Sequence, residues 1–483
     1  MLQSFFTCCG WCFAHSRAPG AVRECDTASL LNLNSLSRNV PVSYFPALMA
    51  AEKIETASVA PASQHGHFFR QSGWLMIANV GGGGLMWAVH LLAKKIPVAE
   101  YGVFGVLLAV VMCVPNMPLQ MVFAHQTAKA LATNRERELA GMIRLAWLGT
   151  FGLWLVVACG AGIWQTDILQ RWQITNPAGL WITVPVILLS LWLPLFWGVM
   201  QGQQNFLWIG WSNIFNSVGR LGLAAFIVFL LGGYAAGMMT GVCLGLAVAV
   251  GIGIWQTRSL WQLPSQPFDW WSLLAQIIPL MLGFGAVQFF LTADTIFVKR
   301  YFPGDITGFY VSAGTLSRAL LWLVLPLATV MFPKIVHSAA RSEKNSLLGP
   351  VLLGTGILAA GGAGGLCILG PWIIKQFYNV TFVQVASSAL PWYAWAMVPL
   401  ALANVLINNL LARANFRVVP ALAVLAAAYG VALAVVGRHA GNLTDPQAGL
   451  RMMLQTLGVF NLLLFGVCAW FTWGAKSKAR MEN

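Results

Sequence analysis

Charge is what this sequence has least of. Only 9% of its 483 residues are Asp, Glu, Lys or Arg, and just 14 are acids. A soluble chain of this length must cover itself with polar surface, so an ordinary water-soluble domain is excluded. Carboxylates are too few for the clustered acidic site that a membrane glycosyltransferase or polymerase needs. There is no GxxxxGK[ST] phosphate loop, which removes an ATPase, and neither HExxH nor GxSxG occurs. An enzyme is therefore not expected. The nine cysteines are scattered or sit inside apolar runs (Cys113, Cys159, Cys243, Cys367, Cys468), which is no disulfide framework. Cys8, Cys9 and Cys12 have metal-like spacing, but no second Cys or His pair follows to complete a zinc site.

What the chain does have is apolar residue: 58% of the total, with a mean hydropathy of +0.72. From residue 71 onward, apolar runs of membrane-spanning length follow one another. Lipid offers the backbone no hydrogen-bond partner, so the choice is helices or a closed barrel, and runs of ~20 apolar residues select helices. The spans read as 72–93, 103–125, 143–163, 180–200, 209–231, 234–256, 273–293, 307–332, 349–370, 386–411, 418–436 and 452–473. The expected fold is an all-α polytopic membrane protein of about twelve transmembrane helices. The formal net charge is +14. The bases fall mostly in short loops, where topology accounts for them, and nucleic acid is not expected as a partner.

Residues 1–70 differ from the rest, with Ser, Asn, Pro and Ala and no periodicity. They read as a disordered or non-native N-terminal tail, and Met49 as a natural start that leaves 1–48 outside the native chain. With the first span starting in the cytoplasm, the cytoplasmic segments carry more Lys and Arg than the outer ones, which puts both termini inside.

The stretch Leu291–Tyr310 joins two apolar runs and carries Asp294, Lys299, Arg300, Pro303, Asp305 and Gly308. A second copy lies about 205 residues earlier, a separation typical of a duplicated half. Lys94 answers Lys299, Lys95 answers Arg300, Pro97 answers Pro303 and Gly102 answers Gly308. Six spans separate the copies, so the halves keep the same orientation and form two parallel-repeat six-helix bundles around a central cavity. The division reads as a tail 1–70, an N-terminal bundle 71–256, a linker 257–272 whose tryptophans suit a helix at the membrane interface, a C-terminal bundle 273–473 and a cytoplasmic tail 474–483.

Arg220 and Arg318 fall in mid-span, where an ionisable group costs several kcal/mol unless it faces a cavity or a partner. Both are candidates to line the cavity and hold an anionic group, because the planar guanidinium forks onto phosphate. The bland alternative is a structural pair with an acid or backbone carbonyls. Asp294 ends an otherwise apolar run. It could take a coupling proton or cation, or salt-bridge Lys299, Arg300 or a cavity arginine. Gly81, Gly82, Gly83 and Gly84 interrupt span one, and Gly283 and Gly285 interrupt span seven after Pro279. Such interruptions at matching places point to gating segments, or to close helix packing. Gln120, His125, Gln201, Gln203, Gln204, Asn205, Asn213, Asn216, Gln288, Asn404, Asn408 and Asn409 add polar groups that a sugar substrate would need, although interhelical hydrogen bonds or loop positions account for most such groups.

The segments AEYGVFGVLLAVV, LTADTIFVKRYFPGDITGFYVSAGTLSRALLWL and MFPKIVHSAARSE resemble the polysaccharide and O-antigen flippases of the multidrug/oligosaccharidyl-lipid/polysaccharide (MOP) exporter superfamily. The resemblance covers about residues 71–473, in span count and two-bundle repeat. It implies that an undecaprenyl-pyrophosphate-linked oligosaccharide is flipped across the bacterial inner membrane by alternating access, with basic cavity residues on the pyrophosphate. Arg318 is similar in placement to those residues. The implied partners are the lipid-linked substrate, the bilayer and glycan-assembly proteins. No cofactor is implied beyond a coupling proton or sodium ion. The alternatives are a cation-coupled multidrug exporter of the same superfamily and a non-transporting scaffold for glycan assembly.

Overall fold

The computed structural model describes residues 62–340, 348–378, 380–413 and 415–474, and their side chains over 73–324 and from 348 on. Residues 1–61 and 475–483, which include the proposed start at Met49, lie outside the described residues. The part of the expected tail that is described is helical. Helix α1 runs Ala62–Ala88 and tightens into a 3₁₀ stretch, Val89–Lys95. It starts ten residues before the expected first span because no proline stands between Pro61 and Pro97 to stop it.

The second span is broken. Helix α2 covers Val98–Met112 and α3 covers Met117–Ala132. Pro115 and Pro118 cause the break, since neither can donate to the preceding turn. Then follow α4 (Glu136–Ile163), the short α5 (Gln165–Arg171), α6 (Ala178–Gly202), α7 (Phe206–Phe226, closed by a π turn), α8 (Tyr234–Gln256) and the short α9 (Arg258–Gln262). The second half contains α10 (Trp270–Tyr301), α11 (Gly304–Ala340), α12 (Leu348–Phe377), α13 (Val380–Ala412), α14 (Val418–Ala440) and α15 (Pro446–Ala469). Eleven stretches among the described residues are long and apolar enough to cross a membrane. Helix α11 stands at the expected eighth span.

The glycines do not break their helices. Helix α1 runs through Gly81–Gly84, and α10 through Pro279, Gly283 and Gly285. In a bilayer a broken helix leaves backbone groups unpaired, so a helix tolerates glycine where a neighbour fills the notch. Gly82 sits against Asn213 and Ser217 of α7, and Gly283 against Leu411 and Val419. The linker is a single helical turn, α9, followed by extended chain up to Asp269, whose side chain accepts from the Trp271 and Ser272 amides and starts α10. Arg144 of α4 pins this linker by donating to the carbonyls of Trp261 and Leu263.

Packing groups the helices by halves. In the first half, α7 packs on α8 and α1, and α6 on α8 and α3. In the second, α13 packs on α15, α11 and α12, and α10 on α14. The halves meet through α2 against α11 and α10, and α3 against α10. The repeat is visible in this contact, because Gly102 and Gly308 face each other. A Cβ on Gly102 would stand 2.9 Å from the Gly308 nitrogen and 3.0 Å from the Gly304 carbonyl oxygen, and one on Gly308 would run into the Val98 carbonyl. Only glycine lets the two backbones approach this closely. The two matching sequence motifs thus meet where the groups of helices touch. Lys299, the counterpart of exposed Lys94, is fully buried beside it, and its Nζ has no hydrogen-bond partner among the described residues.

Candidate functional site: a cavity between the bundles

Between the halves lies a cavity of about 170 Å³. Its polar lining comes from the α2–α3 break (Asn116), α3 (Gln120), α6 (Ser190), α7 (Asn213, Asn216, Arg220), α10 (Gln288) and α13 (Asn404, Asn408). Pro194 and Trp197 on α6, together with Phe284 and Leu321 from the second half, complete one wall.

Helical spacing explains the α7 contribution. Asn213, Asn216 and Arg220 recur at three- and seven-residue intervals, which places them on one face. The Asn213 amide nitrogen donates to the Asn79 side chain (3.0 Å) and the Ala78 carbonyl (3.3 Å) of α1, fixing that face toward the cavity. Arg220 is the one charged residue in the lining, and its Nε has no hydrogen-bond partner among the described residues. The break in span two also serves the site. It frees the Met112 carbonyl, to which the Gln288 amide of the other half donates at 3.0 Å. Next to it the Cys113 thiol lies 3.0 Å from the Thr292 hydroxyl.

Arg318 is placed differently. It is on α11, one layer behind the cavity wall. Its Nε donates to the carbonyl of Leu291, itself a lining residue, at 2.8 Å. Its Nη2 donates to both carboxylate oxygens of Asp294 (2.9 and 3.1 Å) and to the Thr295 hydroxyl (2.7 Å). The guanidinium also stands 5.4 Å from the centre of the Tyr393 ring. Asp294 is fully buried and accepts two more hydrogen bonds, from the hydroxyls of Tyr310 (2.8 Å) and Tyr393. The carboxylate is therefore saturated by one guanidinium and two phenols, so Asp294 is ion-paired, with Arg318 behind the cavity wall rather than with Lys299 or Arg300. The tyrosines carried no signal in the sequence, because an aromatic in an apolar span reads as core.

A second polar cluster bridges the halves on the side of the Gly102–Gly308 contact. The Tyr101 hydroxyl is 2.9 Å from His90 Nδ1, 3.2 Å from the Tyr378 hydroxyl and 3.5 Å from the Thr315 hydroxyl. His90 and Tyr101 belong to the first half, Thr315 and Tyr378 to the second. The sequence reading missed this cluster, along with Asn116 and Ser190. It had named Gln120, Asn213, Asn216, Gln288, Asn404 and Asn408, all of which line the cavity. His125, Gln201, Gln203, Gln204, Asn205 and Asn409 do not, although Gln201 accepts a hydrogen bond from the Gln120 amide at 3.1 Å.

With this geometry in hand, the chain compares with known proteins as follows. The family model for the lipid II flippase MurJ matches residues 151–442, more than half of the sequence. The chain belongs to the MurJ lipid II flippase family. The expected superfamily, that of the MOP exporters, is supported, and the family matched is MurJ's, not specifically the polysaccharide and O-antigen flippases. The chain is thus a membrane transporter of the MOP superfamily and not an enzyme. No curated protein matches its sequence. Among solved structures, an inward-facing multidrug resistance MATE family transporter of the MOP superfamily superposes with a TM-score of 0.65 at 11% identity, over 82% of this chain and 94% of that one. The lipid II flippase MurJ in an inward closed conformation gives 0.59 at 15%, over 81% and 86%. A mutant of the MATE transporter VcmN from Vibrio cholerae gives 0.54 at 14%, over 86% and 98%. At these identities the superpositions show the fold alone.

Proposed function

We propose that this protein flips a lipid-linked, pyrophosphate-bearing glycan precursor across the bacterial cytoplasmic membrane by alternating access. The headgroup occupies the cavity between the bundles, and the lipid tail stays in the bilayer. The observation that carries this reading is Arg220, the one cation in the cavity lining among the described residues, whose Nε none of them satisfies. A guanidinium in a low-dielectric cavity is held there at a cost unless an anion completes it, and phosphate oxygens match its donors. Membership of the MurJ family supports lipid II or a closely similar precursor over a cell-surface polysaccharide precursor.

Lysine and arginine distribution puts both termini in the cytoplasm, which makes the Gly102–Gly308 contact the outer gate. On this reading the structure is closed to the outside. Arg318 enters as the support of the wall at Leu291, and direct contact with a headgroup would require it to leave Asp294. A coupling proton or sodium ion at Asp294 would likewise require the pair to open.

A multidrug exporter that takes cationic drugs would need an acid in the cavity, and among the described residues no acid is in its lining. The deciding experiment is flipping of a fluorescent undecaprenyl-pyrophosphate glycan in proteoliposomes. Arg220→Gln is expected to reduce flipping at least tenfold at equal protein level, while Arg220→Lys retains part of it. Unchanged flipping by Arg220→Gln would refute the assignment of the site.

A further inference from the structure

Two buried carbonyl oxygens in the cavity lining have no partner, and they come from opposite bundles. Asn213 of α7 is 1% exposed and Asn408 of α13 is 3% exposed. In each, the amide orientation is fixed by its nitrogen, since an amide nitrogen can only donate. The Asn213 nitrogen faces the Ala78 carbonyl and the Asn79 side-chain oxygen. The Asn408 nitrogen faces the Asn404 carbonyl (2.8 Å) and the Asn404 side-chain oxygen (3.2 Å). What remains is Oδ1 in both residues, a pure acceptor, and neither has a partner among the described residues. An unpaired buried acceptor is destabilising, and native proteins keep one where a ligand or water completes it.

Three residues of the lining therefore carry a buried polar atom without a partner among the described residues: two acceptors and one cationic donor, Arg220 Nε. The complement is a ligand with O–H or N–H hydrogens next to an anionic oxygen. Asn213 and Arg220 are two turns apart on one face of α7, about 10 Å along the axis at ~1.5 Å per residue. That matches the reach from a pyrophosphate to the sugar attached to it. Neither bundle holds both acceptors, so only a group seated between the bundles can satisfy the pair.

We propose that Asn213 and Asn408 read the sugar next to the pyrophosphate, accepting hydrogens from its hydroxyl or amide groups, and so distinguish a glycan-bearing lipid from the bare carrier. This rests on the flippase reading above and deepens it. Asn408 is the cleaner residue to change, because its nitrogen bonds only within its own helix, whereas the Asn213 nitrogen holds α1.

The test is native mass spectrometry of the detergent-solubilised full chain, titrated with undecaprenyl pyrophosphate and with the same lipid bearing one N-acetylhexosamine. Asn408→Leu is expected to weaken the sugar-bearing lipid about tenfold and leave the bare carrier unchanged. Asn213→Leu should do the same, with melting temperature measured alongside to expose any loss of the α1 contact. Equal loss of both lipids, or no loss of either (the result if cavity water alone completes the carbonyls), overturns the proposal. Arg220→Gln is the separate control: it should weaken both lipids. If it weakens neither, the pyrophosphate reading fails, whatever Asn408→Leu does.

Discussion

Arg220 and Arg318 occupy the same kind of position, mid-span in one bundle each, and end in opposite situations. Arg318 has its charge compensated by Asp294, its donors aligned on Leu291, Asp294 and Thr295, and an aromatic face beside it. Arg220 lines the cavity with an unpartnered Nε, among amides rather than acids. The cost of placing a guanidinium in the membrane is the same for both. In the second bundle that cost is offset within the protein, which makes the ion pair part of the fold. In the first it is left open, which makes the arginine available to an anion.

That contrast can be broken most directly by removing each charge. Arg318→Ala strands the Asp294 carboxylate in a fully buried site, and breaking one side of a buried pair costs about 3–5 kcal/mol. The expected result is a large fall in melting temperature and in folded yield, relieved in the Arg318→Ala/Asp294→Asn double variant. Arg220→Gln strands no partner, so its melting temperature should stay within a few degrees of the parent while transport is lost. If Arg318→Ala melted like the parent, the structural reading of the pair would be wrong.

A second comparison sets the gate against the cavity. Gly308→Ala puts a Cβ into the Val98 carbonyl, so the two halves cannot close to their present distance. Spin labels at Lys95→Cys and Asp305→Cys, both exposed positions, placed in a background free of native cysteines, should report a longer distance in Gly308→Ala than in the parent. An unchanged distribution would show that the glycine contact does not set closure. The smallest effect is expected within the glycine run of α1. Gly82→Ala would meet the Asn213 nitrogen and Ser217 hydroxyl at 3.0 Å, whereas Gly81→Ala meets nothing within 4 Å. Gly81→Ala should be neutral or stabilise by roughly 0.5–1 kcal/mol through helix propensity. Gly82→Ala should be destabilising, as thermal melts of the two variants would show.

Much of the site was legible before the structure. Mid-span Arg220 and the amides Asn213, Asn216, Gln288, Asn404 and Asn408 stood out because polar groups in apolar spans are costly and therefore placed for a reason. Three features were not legible. A salt bridge for Asp294 is among the alternatives the sequence offers, but its partner is not singled out: Arg318 lies 24 residues away on the next helix, and the bases closest to Asp294 in sequence, Lys299 and Arg300, take no part in the pair. The Tyr310 and Tyr393 donors look like ordinary core aromatics until their hydroxyls are seen converging on one carboxylate. The glycines of α1 and α10 interrupt the apolar pattern, yet the helices continue through them, with Asn213 and Ser217 packed against Gly82 and Leu411 and Val419 against Gly283, while Gly81 and Gly84 face open space.

By itself, the sequence determined that this chain is a helical membrane protein. Apolar runs of ~20 residues leave the backbone no other way to cross lipid. Only the tertiary structure decided what each buried charge does. Whether an arginine is paired or open depends on which helices lie against it, and that contact is set by packing between distant spans rather than by any spacing along the chain.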